Sequence, residues 1–347
     1  MENKVFFVGN NLDGCYYYRC LLPLKYNQWN GSKIDIANDN KSLEQQAKEA
    51  LASDIIVFHR PADENRLELI RLFNKIGKIT VFDNDDTFKY NDGMKFGEYF
   101  DKISSQIDSA IKECKYVTTT TEFLAQEYRQ LNKNVFVLPN QIDPTVVSRV
   151  RKNSDSKVRI GIFGSSATAN NDYTVIEPLL KELSKREDVT LVIFGMPLLC
   201  KGNRDVVYKY KQEFEFWGQF DIEWHPFVAV SEYFNTLNDL RLDISLIPRT
   251  DNYFNRAKSN LKFLESSLLE IPVVAQGFSD GLSPYEPDKK YLSLAYTIED
   301  WFSMTQELID SKKKRVEQGK RAREYVLKNY NIHKNYKSWH DIYKQFK

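Results

Sequence analysis

ISLIPRTDNYFNRAKSNLKFLESSLLEIPVVA, residues 244–275, contains every element of a pattern that recurs along the chain. Ile244–Ile247 is a short, continuous apolar run, and Pro248 and a polar loop follow it. The spacing then predicts a helix over Ser259–Leu269, with Leu261, Leu264 and Leu268 on one face. Lys258, Lys262 and Glu265, at i, i+4 and i+7, share another face. Pro272–Ala275 is apolar again. Strands without polar alternation, joined through helices, imply a parallel sheet covered on both faces.

The same alternation runs outward in both directions. Further strands are expected at Val158–Phe163, Thr190–Phe194 and Asp221–Trp224, with a helix at about Val230–Asn238. Thr174 and Glu177 have the spacing of a capping box for a helix reaching about Arg186. In the first half, strands are expected at Val5–Val8, Asp54–Phe58, Ile79–Phe82, Tyr116–Thr119 and Val135–Leu138. Helices fall between them at Lys41–Ala52, Glu64–Ile76 and Thr121–Gln130, the last with a capping box at Thr119 and Glu122. Asn140–Asp155 is polar and reads as a linker, and the tail from about Ile298 is helical and charged. The chain thus divides into two Rossmann-like α/β domains, 1–145 and 156–325, with a helical segment 326–347 expected to cross back onto the first. Ligands of such sheets bind beyond the carboxyl ends of the strands, here toward a shared cleft.

Composition narrows the class. Two domains of about 150 residues account for the 347 residues, and 42% hydrophobic with 28% charged residues is enough to build cores. Lys and Arg number 49 against 48 Asp and Glu, so no overall basic surplus points to nucleic acid. Cys15, Cys20, Cys114 and Cys200 form no CxxC and have no nearby His pair, so neither a disulfide framework nor a zinc site is expected. The apolar run in MENKVFFVGN is too short for a secretory signal, and no run is long enough to span a bilayer. A cytoplasmic location is expected, with contact at the inner membrane surface left open, as is the oligomeric state.

Candidate chemistry gathers at the strand ends. Arg249, Arg256, Lys258 and Lys262 precede or open the 259–269 helix. A helix start already favours anions, so added cations there suit a diphosphate; the alternative is a solvated face with Lys262 paired to a carboxylate. Asn255 and Ser259 lie in the same loop. Gly164 and Ser165 open the loop Gly164–Asn171 after the first strand of the second domain, either a phosphate-facing loop or a plain turn. Gly195, His225 and Phe227 follow neighbouring strands and would rim a nucleotide pocket. In the first domain His59 and Arg60 end strand DIIVF, where the histidine could touch a transferred sugar or an acceptor hydroxyl. Arg19 either binds an anionic acceptor or pairs with Asp83 or Asp85. Asp85 and Asp86, in Asp83-Asn84-Asp85-Asp86, either orient an acceptor or form a turn. A metal role is not expected for them, because the carboxylates lie on the domain opposite the phosphates. His333 and His340 are expected at the surface, and most of the 20 Tyr and 22 Phe in the core.

These segments carry a resemblance. KSNLKFLESSLLEIPVVA (258–275), TTTTEFLAQEYRQLNKNVFVLPNQID (118–143), and YYYRCLLP (16–23) with FDNDDTF (82–88) together resemble the retaining glycosyltransferases of the two-Rossmann, GT-B type. The likeness is to the nucleotide-sugar family that builds bacterial O-antigens, capsules and related glycans. It implies that Glu265 holds the donor ribose and that Arg249, Lys258 or Lys262 hold the diphosphate, with no essential metal and no other cofactor. It also implies that the leaving phosphate itself takes the acceptor proton, and that the acceptor is a glycan, a lipid-linked or another hydroxyl held by the first domain.

The sequence departs from the pattern in places. Glu270 stands where a small residue usually precedes Ile-Pro-Val-Val, so the left-handed helix cap is expected to be missing. Lys258 stands where the earlier of two carboxylates seven residues apart is usual. Two other readings fit the residues. One is transfer onto modified DNA bases, with Lys33–Lys48 and Lys312–Arg323 tracking phosphates. The other is a nucleotide-sugar-binding protein without catalysis. Gly9-Asn10-Asn11-Leu12-Asp13-Gly14 is not GxGxxG, which argues against a dinucleotide oxidoreductase.

Overall fold

The computed structural model describes residues 4–9, 13–31, 42–89, 97–164, 171–196 and 211–347. Ser165 and the loop to Asn170, Pro197, Cys200 and the 33–41 part of the first lysine-rich stretch lie outside the described residues. The chain forms two compact units. One comprises Met1–Asp143, Ala257–Ser259 and Tyr330–Lys347; the other comprises Pro144–Arg256 and Asn260–Asn329.

Each unit is built on a six-stranded, all-parallel sheet. The first holds β1 (Val5–Val8), β2 (Asn30–Gly31), β3 (Ile55–His59), β4 (Ile79–Asn84), β5 (Tyr116–Thr119) and β6 (Val135–Val137) in the order β2-β1-β3-β4-β5-β6. The second holds β7 (Val158–Phe163), β8 (Val189–Met196), β9 (Ile222–Pro226), β10 (Ile244–Ile247), β11 (Val273–Gln276) and β12 (Ser293–Ala295) in the order β12-β11-β10-β7-β8-β9. The α/β architecture read from the sequence is therefore present in both halves. The central strands are mostly apolar because helices cover both faces, as in β3, where all five residues are buried. Trp217 and Trp301 fill the second core, and Phe58, Phe82 and Tyr128 the first.

Strand order also locates the ligand crevices. In the first sheet the strand order reverses between β1 and β3, and in the second between β7 and β10. Open α/β sheets bind ligands outside the carboxyl ends of strands at such a switch point. Gly9 and His59–Arg60 mark it in the first unit, Gly164 and Pro248 in the second.

Several local expectations are corrected. The helix Glu122–Tyr128 is capped by Thr121, whose side chain accepts from the Leu124 amide; Thr119 lies in β5 and donates to the Asn84 carbonyl. Thr174 caps nothing: its hydroxyl donates to the Asn171 carbonyl within a 3-10 turn, and the helix Glu177–Leu183 carries Pro178 in its first turn. The capping box that does form joins Thr297 and Asp300 at the helix Ile298–Asp310. The tail continues as separate helices Lys312–Asn329, Ile332–Asn335 and Lys337–Tyr343. His340 is half-buried rather than at the surface, and exposed His333 shares Asp143 with Tyr26. Among the described residues, no helix is long and apolar enough to cross a membrane.

The helix Leu261–Leu268 also ends differently from expectation. Glu270 takes the left-handed conformation (φ 55°) although it is not glycine. The Glu270 amide donates to the Ser267 carbonyl and the Ile271 amide to the Ser266 carbonyl, each at 3.0 Å, the two bonds of a Schellman end. Lys152 at 3.1 Å and Arg323 at 3.4 Å hold the Glu270 carboxylate. Gly319, on the helix Lys312–Asn329, sits against this turn, and a Cβ there would fall 2.2 Å from the Glu270 carbonyl oxygen. Gly319→Ala should therefore destabilise the protein by about 1–3 kcal/mol in urea unfolding, opposite in sign to the gain of about 0.5–1 kcal/mol usual for this swap in an open helix.

Candidate active site

In the first unit the site is organised on Asp83, at the carboxyl end of β4. Arg19 comes from a π-helical turn, Tyr17–Leu21, that follows the short helix Gly14–Tyr16. Its guanidinium grips Asp83 with two bonds, Nε to Oδ1 at 3.1 Å and Nη2 to Oδ2 at 2.7 Å, and both residues are fully buried. Arg19 also donates to the Leu138 carbonyl at 2.5 Å, and Thr118 donates to Asp83 Oδ2 at 2.7 Å. Burial alone would raise the Asp83 carboxyl; the Arg19 charge and the hydrogen bonds from His59 and Arg19 outweigh it and hold the group below its ordinary value. Of the two readings of Arg19, the structure realises the pairing with Asp83. The side chain is interior, so direct contact with an acceptor is corrected.

His59 Nδ1 lies 3.2 Å from Asp83 Oδ1. An ionised carboxylate only accepts, so this nitrogen carries the hydrogen, and Nε2 is the ring nitrogen on the side away from Asp83. His59 is 2% exposed, and Nε2 has no hydrogen-bond partner among the described residues. The ring packs at a tilt against Tyr16, 6.1 Å between centroids.

Arg60, the next residue, adopts φ 48°, a conformation that costs a non-glycine residue roughly 1–2 kcal/mol. This backbone turn swings its guanidinium onto Asp85 at 2.6 Å and Asp86 at 2.8 Å. Lys258 reaches the other oxygen of Asp86 at 2.5 Å. It precedes the helix and is counted with the first unit, so the face shared with Lys262 and Glu265 is corrected. Ser259 also belongs here, accepting from the Asn140 amide at 3.1 Å. Cys15 Sγ and the carboxylates of Asp85 and Asp86 come within 4.8 Å of one another, the one grouping of metal-ligand spacing among the described residues. Arg60 and Lys258 already balance those carboxylates, and burial raises the Cys15 thiol, keeping it protonated. A cation fits poorly there.

In the second unit the two strand-end glycines lie together. Gly164 (φ 94°) follows β7, and Gly195 (φ 102°) sits at the irregularity in β8. A Cβ on Gly195 would be 3.3 Å from the Gly164 nitrogen, and one on Gly164 would be 2.5 Å from Lys262 Cε. Only glycines allow this approach. Lys262, in the first turn of the helix Leu261–Leu268, bonds Glu265 Oε2 at 2.7 Å and the Tyr233 hydroxyl at 2.9 Å. Tyr233 itself donates to Glu265 Oε2 at 2.7 Å. The ammonium lies 5.3 Å from the Phe163 ring centroid and 5.1 Å from that of Tyr233. Burial and the Glu265 charge raise the Tyr233 hydroxyl well above its usual value, so it remains a donor. Glu265 is 2% exposed.

Arg249 and Asn255 are placed differently from the expectation of ligand contact. Both are buried and turn to Asp172, Arg249 at 2.9 Å and Asn255 at 2.7 Å, while the Thr250 amide donates to the same carboxylate. They fix the loop after β10. Arg256 is held on the surface by Asp251 and Asp280. His225 is 2.6 Å from Glu223, and Phe227 beyond it is exposed. Tyr233, Asp172 and Cys15 were not indicated by spacing. Tyr233 and Asp172 act at long sequence separation, and Cys15 carries no motif.

No protein-family model matches the sequence, and no curated protein matches it. Solved structures do. The chain is similar to HepE from Anabaena, solved with UDP and glucose, at 12% identity and a TM-score of 0.64, over 99% of this chain and all of that one. It is similar to sucrose-phosphate synthase from Thermosynechococcus elongatus at 11% identity and 0.65, over 99% and 98%. It is also similar to a putative UDP-N-acetylglucosamine 2-epimerase from Listeria monocytogenes at 12% identity and 0.55, over 100% and 98%. At such identities the likeness shows the fold, and the fold is GT-B.

The buried pair makes a prediction. Arg19→Met should destabilise the first unit by about 3–5 kcal/mol in chemical unfolding, because Asp83 stays buried without its cation. Asp83 is depressed in the fold, so its contribution is present above the ordinary carboxylate range and is lost as pH falls below it. The wild type should lose stability across that acid window, and Arg19→Met should lose less.

Proposed function

We propose that the chain is a glycosyltransferase that takes a sugar from a nucleoside diphosphate sugar and passes it to an acceptor hydroxyl with retention of anomeric configuration. The observation that carries this reading is the Gly164–Gly195–Lys262–Glu265 arrangement at the switch point of the second sheet. Two glycines without Cβ atoms leave the backbone open beside an ammonium, as phosphate oxygens require. A carboxylate lies one helical turn further on, as ribose hydroxyls require. Without a donor, Lys262 and Glu265 neutralise each other. The donor supplies both with new partners, the diphosphate for the lysine and the two ribose hydroxyls for the glutamate.

In the proposed reaction the bond from the anomeric carbon to the diphosphate oxygen breaks on the face where the acceptor oxygen bonds. The acceptor proton passes to the leaving phosphate oxygen. Lys262 opposes the charge that develops there, and a site shielded from water makes that charge stabilisation strong. His59 Nε2 accepts a hydrogen bond from a sugar or acceptor hydroxyl, with Asp83 fixing its tautomer. Arg60, Asp85 and Asp86 form the polar wall for the acceptor. We assign no metal to the reaction, since the cation and backbone amides meet the need. Phe227 and His225 flank the nucleobase.

HepE was solved with UDP and with UDP-glucose, so uridine nucleotides are the first donors to test. In a thermal-shift screen of UDP-, GDP-, ADP-, CDP- and dTDP-sugars, one nucleotide class at 100 times its Kd should add about 2.7 kcal/mol of stability, with EDTA present or absent. Lys262→Ala should weaken the nucleoside diphosphate about tenfold or more and the bare nucleoside little. Glu265→Gln should weaken both. Equal losses for diphosphate and nucleoside on Lys262→Ala would remove the phosphate assignment. Recovery of an epimerised nucleotide sugar, with no sugar on any acceptor, would replace transfer by epimerisation.

A further inference from the structure

The second unit carries another cavity, of about 910 Å³, at the other end of its sheet. Its walls are the 148–152 segment, which leads toward β7, and the end of the helix Val230–Asp239, which leads into β10. Gly164 and Pro248 follow these same two strands, so the cavity lies at the amino ends and the glycine site at the carboxyl ends. At about 3.3 Å per residue, a strand of six residues separates them by roughly 20 Å.

Four cations line the cavity, Arg149, Arg151, Lys152 and Arg241, against one carboxylate, Asp239. Asp239 is taken by Arg151 at 2.6 Å, and Lys152 turns to Glu270 at 3.1 Å. Arg149 and Arg241 have no ion pair with any described residue, and both are exposed. The wall beneath them is fixed. Buried Asn238 donates to the Arg149 carbonyl at 2.9 Å and accepts from the Arg151 amide at 2.9 Å, tying the segment to the helix. Arg241 has φ 50°, the left-handed position that closes the helix Val230–Asp239, and its amide donates to the Asn238 carbonyl at 3.2 Å, so the helix end fixes where the side chain starts.

We propose that this cavity is a second anion site, one that takes a phosphate-bearing group between Arg149 and Arg241. Planar guanidinium groups bind phosphate oxygens in pairs, and two arginines without ion pairs lining one pocket suit a phosphate monoester or diphosphate. A pocket of this size accepts a headgroup-sized ligand. The group can belong to a free phosphorylated molecule or to a phospholipid headgroup. The inference is independent of the donor assignment, because no residue is shared.

The full chain is to be titrated at low salt with sodium tripolyphosphate, and separately floated with vesicles of phosphatidylcholine containing 30% phosphatidylglycerol or none. Wild type should bind at least one of the two anionic probes and not the neutral vesicles. In the Lys262→Ala background, which removes the phosphate contact of the proposed donor site, Arg149→Ala/Arg241→Gly should weaken the remaining binding at least tenfold. Tripolyphosphate binding without flotation assigns a free ligand, and flotation assigns a headgroup. Arg241→Gly alone should melt at or above the wild-type temperature, separating lost binding from lost folding. Binding of neither probe, or equal binding by the double variant, would overturn the proposal.

Discussion

The first unit depends on a single buried anion. Asp83 draws hydrogen bonds from Arg19, His59 and Thr118, and Arg19 extends the network to the Leu138 carbonyl. One carboxylate therefore joins the ends of β3, β4, β5 and β6 to the π-helical turn near the amino terminus. Removing such a charge from water costs several kcal/mol, so it is tolerated only while every partner is in place. That requirement makes the strand ends rigid. His59 is held in one tautomer, and Arg60 is forced through its left-handed turn onto Asp85 and Asp86. Asp172 has the same part in the second unit, where Arg249, Asn255 and the Thr250 amide converge on it. Each switch point thus rests on a fixed polar framework.

Most of the fold was legible because its signal is local. Runs such as IIVF in β3 and ISLI in β10 are strands buried on both faces, and such a run needs no distant information to be read. Helix starts were harder. A hydroxyl three residues before a glutamate is common, and which threonine caps depends on where the strand before it stops. Thr119 was still in β5, so Thr121 took the role. The left-handed Glu270 was invisible because its tolerance comes from Lys152 and Arg323, far away in sequence.

The site was legible in part for the same reason. Lys262 and Glu265 lie one helical turn apart, so spacing alone brings them together. Lys258 does not join them, because the helix begins only at Leu261. Arg249 showed in the sequence as a cation near a helix start, but its fate was decided by Asp172, 77 positions earlier. Tyr233 sits in a helix whose pattern marks it only as one more aromatic residue; its hydroxyl matters because of Glu265, 32 positions later.

The chain returns to its first unit at the end, and this bears on synthesis. Ile142 pairs with Asn331, Trp29 stacks on Tyr343, and the Tyr116 ring lies 3.9 Å from that of Phe346. Trp339 and Tyr343 are almost wholly buried there. During translation the second unit has all its residues as soon as Asn329 has left the ribosome. The first, although begun earlier, must wait with an aromatic face uncovered until Trp339 and Phe346 emerge. The usual order of domain folding on the ribosome is thereby inverted, and the half made first is completed last.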